Sequence, residues 1–148
     1  MTDFNYLQHT AKIPKMKLGH VAIWTARLEL LKEYYVEIFQ GKAGLKYENR
    51  HKKFGSYFIV FDGGASLEIM TSPDIPPNKN DTAAAQHLGL IHMAFEVKDR
   101  ETVDRKWEQL KDRGFPILDG PRVTGDGYYE FTTLDPDNNR VEVTTRIE

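Results

Sequence analysis

An internal repeat constrains the fold of this 148-residue chain more than any other feature. His20-Val-Ala-Ile opens one half, and His92-Met-Ala-Phe opens the other 72 residues later. Near the end of each half, Glu68 and Glu142 each stand between two aliphatic residues. Repeated supersecondary units pack together to bury a common core. The repeat therefore predicts two copies of one module.

Hydrophobic periodicity predicts the same order of elements, β-α-β-β-β, in both halves, which is an α+β fold. Thr25 is expected to cap the first helix and Gly41 to end it, and Asp99 and Gly114 have the same roles in the second. The predicted strands are 17–24, 44–50, 55–62 and 65–71 in the first half, and 90–97, 116–119, 127–133 and 140–146 in the second.

The repeat also predicts the domain organisation. Residues 1–16 are polar and irregular and are expected to be an N-terminal extension. Residues 17–148 are expected to form one domain of two modules, 17–72 and 89–146. The linker 73–88 contains three prolines and a run of alanines that favours one helical turn.

Composition excludes several classes of protein. Charged residues make up 28% of the chain, the formal net charge is −2, and lysine and arginine are spread along the sequence, so we expect no nucleic-acid partner. No apolar run is long enough for a membrane span, and the N-terminus lacks a signal peptide pattern. The absence of cysteine excludes thiolate metal sites and fits a reducing compartment. We expect a soluble, cytoplasmic protein that does not bind membranes.

Strand geometry gives the repeated histidine and glutamate a common face. Side chains alternate along a strand, so His20, Glu68, His92 and Glu142 face away from their aliphatic neighbours. Two glutamates on one face repel each other unless a positive charge lies between them. Imidazole and carboxylate together suit zinc, nickel, iron or manganese. The four residues are therefore candidate metal ligands.

Each of these residues is weak support for a metal site when taken alone. A single histidine in an apolar strand is more often a hydrogen-bonded core residue, and a single strand glutamate is more often solvent-facing or paired with a lysine or arginine. The ligand interpretation depends on the recurrence of the same pair at matched positions in both halves.

At these residues the chain resembles the vicinal oxygen chelate superfamily, which includes glyoxalase I, extradiol dioxygenases and bleomycin-resistance proteins. The resemblance covers about residues 17–146. It rests on Gly-His-Val-Ala-Ile, on Ile-His-Met-Ala-Phe-Glu-Val and on the segment from Asp126 to Val143. It implies two paired βαβββ modules that form a curled, eight-stranded mixed sheet around a metal.

The order His, Glu, His, Glu is similar to glyoxalase I. The resemblance implies that His20, Glu68, His92 and Glu142 bind one divalent ion per site, zinc or nickel first, with iron, manganese or cobalt as alternatives. It also implies a lactoylglutathione lyase-like lyase or isomerase, in which Glu142 and Glu68 move a proton on a substrate with two adjacent oxygens. Family members are usually homodimers, and we expect the same here.

Two positions depart from the pattern of bacterial glyoxalases. Trp24 and Ser72 replace an arginine and an asparagine that serve glutathione in that family, while Arg122 is a candidate contact for an anionic substrate. Two alternatives stay open: a small-molecule-binding or resistance protein without catalysis, and an iron-dependent extradiol-type dioxygenase. The sequence also leaves open whether the site forms within one chain or across a dimer.

Overall fold

The computed structural model describes residues 14–147, so most of the predicted extension 1–16 lies outside the described residues. None of the helices within these residues is long and apolar enough to span a membrane. In chain order the elements are β1 (His20–Trp24), α1 (Leu28–Phe39), β2 (Lys42–Ala43), β3 (Tyr47–Asn49), β4 (Phe54–Val60), β5 (Ser66–Thr71), β6 (His92–Glu96), α2 (Arg100–Asp112), β7 (Ile117–Val123), β8 (Tyr128–Leu134) and β9 (Arg140–Arg146).

The strands form two sheets that repeat one topology. The N-terminal sheet has the order β1-β5-β4-β2, with β3 also paired to β4, and the C-terminal sheet has the order β6-β9-β8-β7. In each sheet the first strand pairs in parallel with the last, which places Ala22 opposite Glu68 and Ala94 opposite Glu142. The predicted α+β fold of two βαβββ modules is confirmed. The one eight-stranded sheet implied by the resemblance is not formed within the described residues, whose strands make two separate sheets of five and four strands.

The helix ends agree with the sequence in α2 and differ in α1. Asp99 caps α2 as predicted, because its side chain accepts from the Thr102 N–H. The predicted cap of α1 at Thr25 is wrong: the helix begins at Leu28, and the Thr25 hydroxyl accepts from the backbone of Arg27 instead. Its end is also earlier than predicted from Gly41, since Gln40 takes the left-handed conformation with φ of 57°.

The core lies on the helix side of both sheets and joins the modules. Tyr35, Leu31 and Ile38 of α1 are fully buried together with Ile69 of the N-terminal sheet and Val143 of the C-terminal sheet. Across the module boundary, the rings of Phe39 and Phe95 stack with 4.2 Å between their centroids. The two modules therefore pack against each other through the apolar faces of their helices and sheets.

The turn between β8 and β9 is hydrogen-bonded to the first module. The buried Asp135 accepts from the Tyr35 hydroxyl at 2.8 Å and from the backbone and side chain of Asn139. Asp137 accepts from the Arg27 guanidinium at 2.6 Å and from the Thr25 hydroxyl. These bonds hold the start and middle of α1 against the second module, so the relative position of the modules is defined by polar contacts as well as by the core.

Candidate metal centre

The faces of the two sheets that point away from the helices are called the N-terminal and C-terminal cup faces here. Exposure alternates along β1 and β6, so that His20, Ala22 and Trp24 are exposed while Val21 and Ile23 are partly covered. The buried neighbours of Glu68 and Glu142 likewise face the core. The predicted alternation is confirmed, and the histidine and glutamate of each module share an open cup face.

Each module brings its histidine and glutamate close together. His20 Nε2 is 3.7 Å from Glu68 Oε2. His92 Nε2 is 3.2 Å from Glu142 Oε2. The histidine side chains are 50% and 40% exposed, whereas the glutamate side chains are only 16% and 17% exposed. Each cup face therefore presents an accessible imidazole beside a sheltered carboxylate.

The spacing within each pair fits two ligands of one metal ion. Two ligand atoms about 2.1 Å from a metal lie roughly 3.0 to 3.4 Å apart, for angles between square and tetrahedral. The observed separations of 3.2 and 3.7 Å are close to that range. Imidazole and carboxylate are also donors that zinc, nickel, iron and manganese accept. The described residues fit a divalent metal in donor type and spacing, two ligands at a time.

The two pairs are not brought together within one chain. Among residues 14–147, no three histidine, cysteine, aspartate or glutamate side chains form a group that could hold a metal ion. Zinc sites in proteins generally have three or four protein ligands. One pair alone therefore supplies fewer ligands than such a site needs.

Glu142 lies among charged groups of which the sequence singled out only Arg122. Arg122 Nε donates to Asp119 Oδ2 at 2.5 Å, and its guanidinium is 3.9 Å from Glu130. Burial raises the pKa of Glu142, the nearby His92 lowers it, and the Glu130 charge raises it again. The net effect raises the pKa of Glu142. Asp119 and Glu130 were missed because their approach depends on strand register and a bulge between β7 and β8.

Arg122 does not stand as a free cation on the C-terminal cup face. Its charge is balanced by Asp119 and Glu130, and these contacts raise the pKa of its guanidinium, with the hydrogen bond to Asp119 contributing most. An anionic substrate would have to compete with two carboxylates for this side chain. The expected role of Arg122 in binding an anionic substrate stays a prediction. Its pairing with Asp119 and Glu130 makes that role less favourable.

Aromatic side chains cover the N-terminal cup face beside the histidine–glutamate pair. The ring of Phe58 makes an edge contact with the ring of His20, with 5.2 Å between centroids, and Trp24 makes a similar contact with Phe54 at 5.9 Å. Tyr47 lies 6.0 Å from Phe54 on the other side. The sequence indicated Trp24 but missed the other three, although alternation in β4 could have placed Phe54 and Phe58 on one face.

Two clefts adjoin these elements. One, of about 690 Å³, brings Trp24 and Ser72 together with the linker and the turn at Asp137. The other, of about 990 Å³, runs between the modules on the helix side, and His92 is the one predicted ligand that lines it. The smaller cleft thus continues from the exposed end of β1, where Trp24 stands.

The chain consists of two βαβββ modules that pack through their helices, which places it among α+β proteins built from paired modules. A family model described as the Glyoxalase/Bleomycin resistance protein/Dioxygenase superfamily matches residues 17–143. The chain belongs to this superfamily, which confirms the resemblance drawn from the sequence motifs. The superfamily contains enzymes such as glyoxalase I as well as members without catalytic activity.

Similar proteins of known structure share the fold at low sequence identity. The glyoxalase family protein from Enterococcus faecalis is 26% identical, with a TM-score of 0.68 over 86% of this chain and 96% of that one. The trypanothione-dependent glyoxalase I of Leishmania major is 19% identical, with a TM-score of 0.70 over 88% and 87% of the two chains. The latter likeness shows the fold alone.

One relative is similar in sequence over a shorter segment. The Bacillus subtilis protein YqjT is 36% identical over 59 residues, which are 38% of this chain and 46% of that protein. The match therefore spans less than half the length of this relative.

Proposed function

We propose that the protein is a metal-dependent lyase or isomerase of the glyoxalase I type, with His20, Glu68, His92 and Glu142 as the ligands of one divalent metal, zinc or nickel first. The observation that carries this proposal is the histidine–glutamate pair, repeated with the same orientation and with separations of 3.2 and 3.7 Å. Coincidence would have to place both residue types at matched strand positions twice.

We further propose that two copies of the chain complete each site. Both histidines lie on edge strands, β1 and β6, whose outer edges are unpaired in the described part of the chain. Free strand edges readily pair with another chain. If β1 of one copy lies next to β6 of the other, the cup faces join into one continuous sheet. His20 and Glu68 of one copy then face His92 and Glu142 of its partner.

The chemistry assigns a separate task to each group. A divalent metal held by these residues would polarise the two adjacent oxygens of the substrate and so acidify the C–H of the hydroxyl-bearing carbon beside the carbonyl. Glu142, beside His92 on the C-terminal cup face, would accept that proton. Glu68 is the second carboxylate, on the other wall of the cup, and can return the proton to the neighbouring carbon. His20 and His92 would each supply an imidazole nitrogen as a metal ligand.

The identity of the substrate is a separate part of the proposal. Lactoylglutathione lyase activity is the first to test, because one similar structure is a lactoylglutathione lyase and another is a trypanothione-dependent glyoxalase I. In this chain Trp24 and Ser72 stand where bacterial glyoxalases have residues that serve glutathione, which favours a different thiol or a substrate without one.

Metal analysis combined with one substitution tests the proposal. We expect about one zinc or nickel ion per chain in protein prepared without chelator. We expect Glu142→Gln to lower turnover of a methylglyoxal–thiol adduct at least about 100-fold, as for loss of a general base. Glu96→Gln is the matched control, because Glu96 is an exposed carboxylate on the same cup face without a histidine partner. It should retain wild-type turnover.

Two outcomes would contradict the proposal. Full turnover by Glu142→Gln would remove its role as the base. Less than about half an equivalent of metal per chain would instead favour a binding protein of the same fold. Oxygen uptake with catechols in the iron-loaded protein would favour the extradiol dioxygenase alternative.

A further inference from the structure

We propose that the N-terminal cup face selects substrates that carry an aromatic or bulky apolar group next to the two chelating oxygens. This group would lie on an aromatic shelf, which we define as Trp24, Tyr47, Phe54 and Phe58. The inference rests on the proposed function, because it names the substrate class of the same site.

The shelf is built by three strands. Trp24 comes from β1, Phe54 and Phe58 from β4, and Tyr47 from β3. The ring planes of Trp24 and Phe54 stand at 85° to each other. A perpendicular contact uses the edge of one ring, so it leaves aromatic faces available for another flat group. A planar or branched apolar group could therefore pack on these rings without displacing them.

The shelf is exposed to an unusual degree for aromatic side chains. Trp24 is 42% exposed, Phe58 44% and Tyr47 57%. Val60, further along β4 on the same face, is also half exposed. Scattered apolar side chains on a surface need no explanation, but Trp24, Phe54 and Tyr47 touch one another in series, and such a contiguous group marks a binding site. We therefore expect a ligand to cover these exposed rings.

The position of the shelf relative to the metal ligands sets the size of that occupant. Phe58 is directly opposite Glu68 in the strand ladder and touches His20. Trp24 lies two residues beyond Ala22, the neighbour of Glu68, which is roughly 7 Å along the strand. A phenyl ring or branched alkyl chain attached directly to the chelated carbons spans this distance.

Charge on the same face disfavours an anionic peptide thiol. Lys42 is the one lysine or arginine in the described strands of the N-terminal sheet, and it lies on the outer strand β2. The facing cation, Arg122, is already paired with Asp119 and Glu130. The carboxylates of a peptide thiol would find little compensation here, whereas an apolar group loses nothing.

The partner chain is a poorer occupant than a ligand. In the proposed dimer the facing wall is the C-terminal cup face, whose strands bring Glu96, Glu130 and Arg146 to that side. Apart from Ala94 and Tyr128, the solvent-accessible strand side chains on this wall are polar or charged, so it offers little apolar surface to four aromatic rings. The aromatic shelf would stay open to a ligand held between the two walls.

A matched pair of hydroxamates tests the shelf. Both benzohydroxamate and acetohydroxamate present two adjacent oxygens to a metal, and they differ in the apolar group. In calorimetric titrations of the zinc-loaded protein we expect benzohydroxamate to bind at least about tenfold tighter. Trp24→Ala should reduce this preference to less than about threefold. Leu30→Ala, which removes an exposed apolar side chain from α1, should keep it.

A second readout separates this inference from the proposed function. In a Trp107→Phe background Trp24 is the one tryptophan, and its emission reports on the shelf with or without metal. We expect benzohydroxamate, and not acetohydroxamate, to quench it. Quenching without any zinc uptake would remove the proposed function and support the shelf.

The opposite result would overturn the shelf alone. If the zinc-loaded protein binds both hydroxamates equally, or if Trp24→Ala keeps the wild-type preference, the rings do not select the substrate and the proposed function still stands. Absence of zinc uptake together with absence of quenching would overturn both.

Discussion

Two adjacent tyrosines of α1 differ in hydrogen bonding although both are buried. The Tyr35 hydroxyl donates to Asp135, while the Tyr34 hydroxyl has no partner among the described residues. We expect Tyr35→Phe to lower the free energy of unfolding by about 1 to 3 kcal/mol, because a buried carboxylate loses a donor. Tyr34→Phe breaks no bond and should change it by less than about 0.5 kcal/mol, or increase it. Urea unfolding measures both, and equal losses would contradict the assignment.

The same contact predicts a pH dependence. Burial raises the pKa of Asp135, and the hydrogen bonds from Asn139 and Tyr35 oppose that shift. A group with a raised native pKa is favoured in its protonated form, so stability falls as pH rises from the unfolded value of about 3.9 toward the native one. Tyr35→Phe removes one opposing bond, so its destabilisation should grow between about pH 3 and pH 7. A loss that is constant across this range would show that the carboxyl does not titrate as described.

At the scale of residues, the sequence predicted what strand alternation determines. The open faces of His20 and Glu142 follow from period-two patterning around each residue. The approach of Asp119 and Glu130 to Arg122 does not, because it depends on the pairing of β7 with β8 and on a bulge in that ladder. Register across an irregular ladder is not encoded in local periodicity.

Gly120 lies in that irregular segment of β7, where the chain comes close to β8. Its φ is 82°, and a Cβ atom there would lie 2.5 Å from Glu130 O and 2.9 Å from Phe131 Cα. Both atoms belong to backbone, so Gly120→Ala must shift the strand and should cost at least about 2 kcal/mol of stability. Arg122 and Glu130 should separate as a result.

Gly114, at the end of α2, is the matched control for this substitution. Its φ of 79° is similar, but no atom lies within 4 Å of the Cβ position. Gly114→Ala therefore introduces backbone strain without a collision. It should lower the free energy of unfolding by about 1 kcal/mol. Thermal unfolding of both variants separates the cost of backbone strain from the cost of the collision with β8. Similar losses would show that β8 moves freely and that the close approach is unimportant.

At the scale of elements, the order β-α-β-β-β was predictable because apolar spacing separates helices from strands. The ends were less predictable. Asp99 was recognised because an acidic side chain before a helix is the preferred cap. Thr25 was misassigned because the same residue type also stabilises a turn, and here Arg27 and Asp137 take its hydrogen bonds.

At the scale of the molecule, the repeat predicted two modules but not how they pack. Their arrangement depends on contacts such as Phe39 on Phe95, between residues that are distant in sequence and have no periodic relation. The helix layer turns the cup faces away from the core. This arrangement separates the two histidine–glutamate pairs in one chain and leads to the proposed site between two chains.

Mixing two inactive variants tests whether each site is shared between chains. His20→Ala and His92→Ala should each abolish both sites of their own homodimers. In a mixed dimer, one site combines both lesions and the other combines the intact N-terminal face of one copy with the intact C-terminal face of the other. After subunit exchange of equal amounts, half the dimers are mixed, so about a quarter of wild-type zinc content and turnover should return.

A second mixture distinguishes shared sites from other causes of recovery. His20→Ala and Glu68→Gln alter the same histidine–glutamate pair, so every site in their mixed dimer still carries one lesion. This mixture should stay inactive, while the first recovers. If both mixtures recover alike, the recovery reflects refolding rather than shared sites. If neither recovers although exchange is shown by mass spectrometry of the intact dimers, each site lies within a single chain, and the free edges of β1 and β6 have another role.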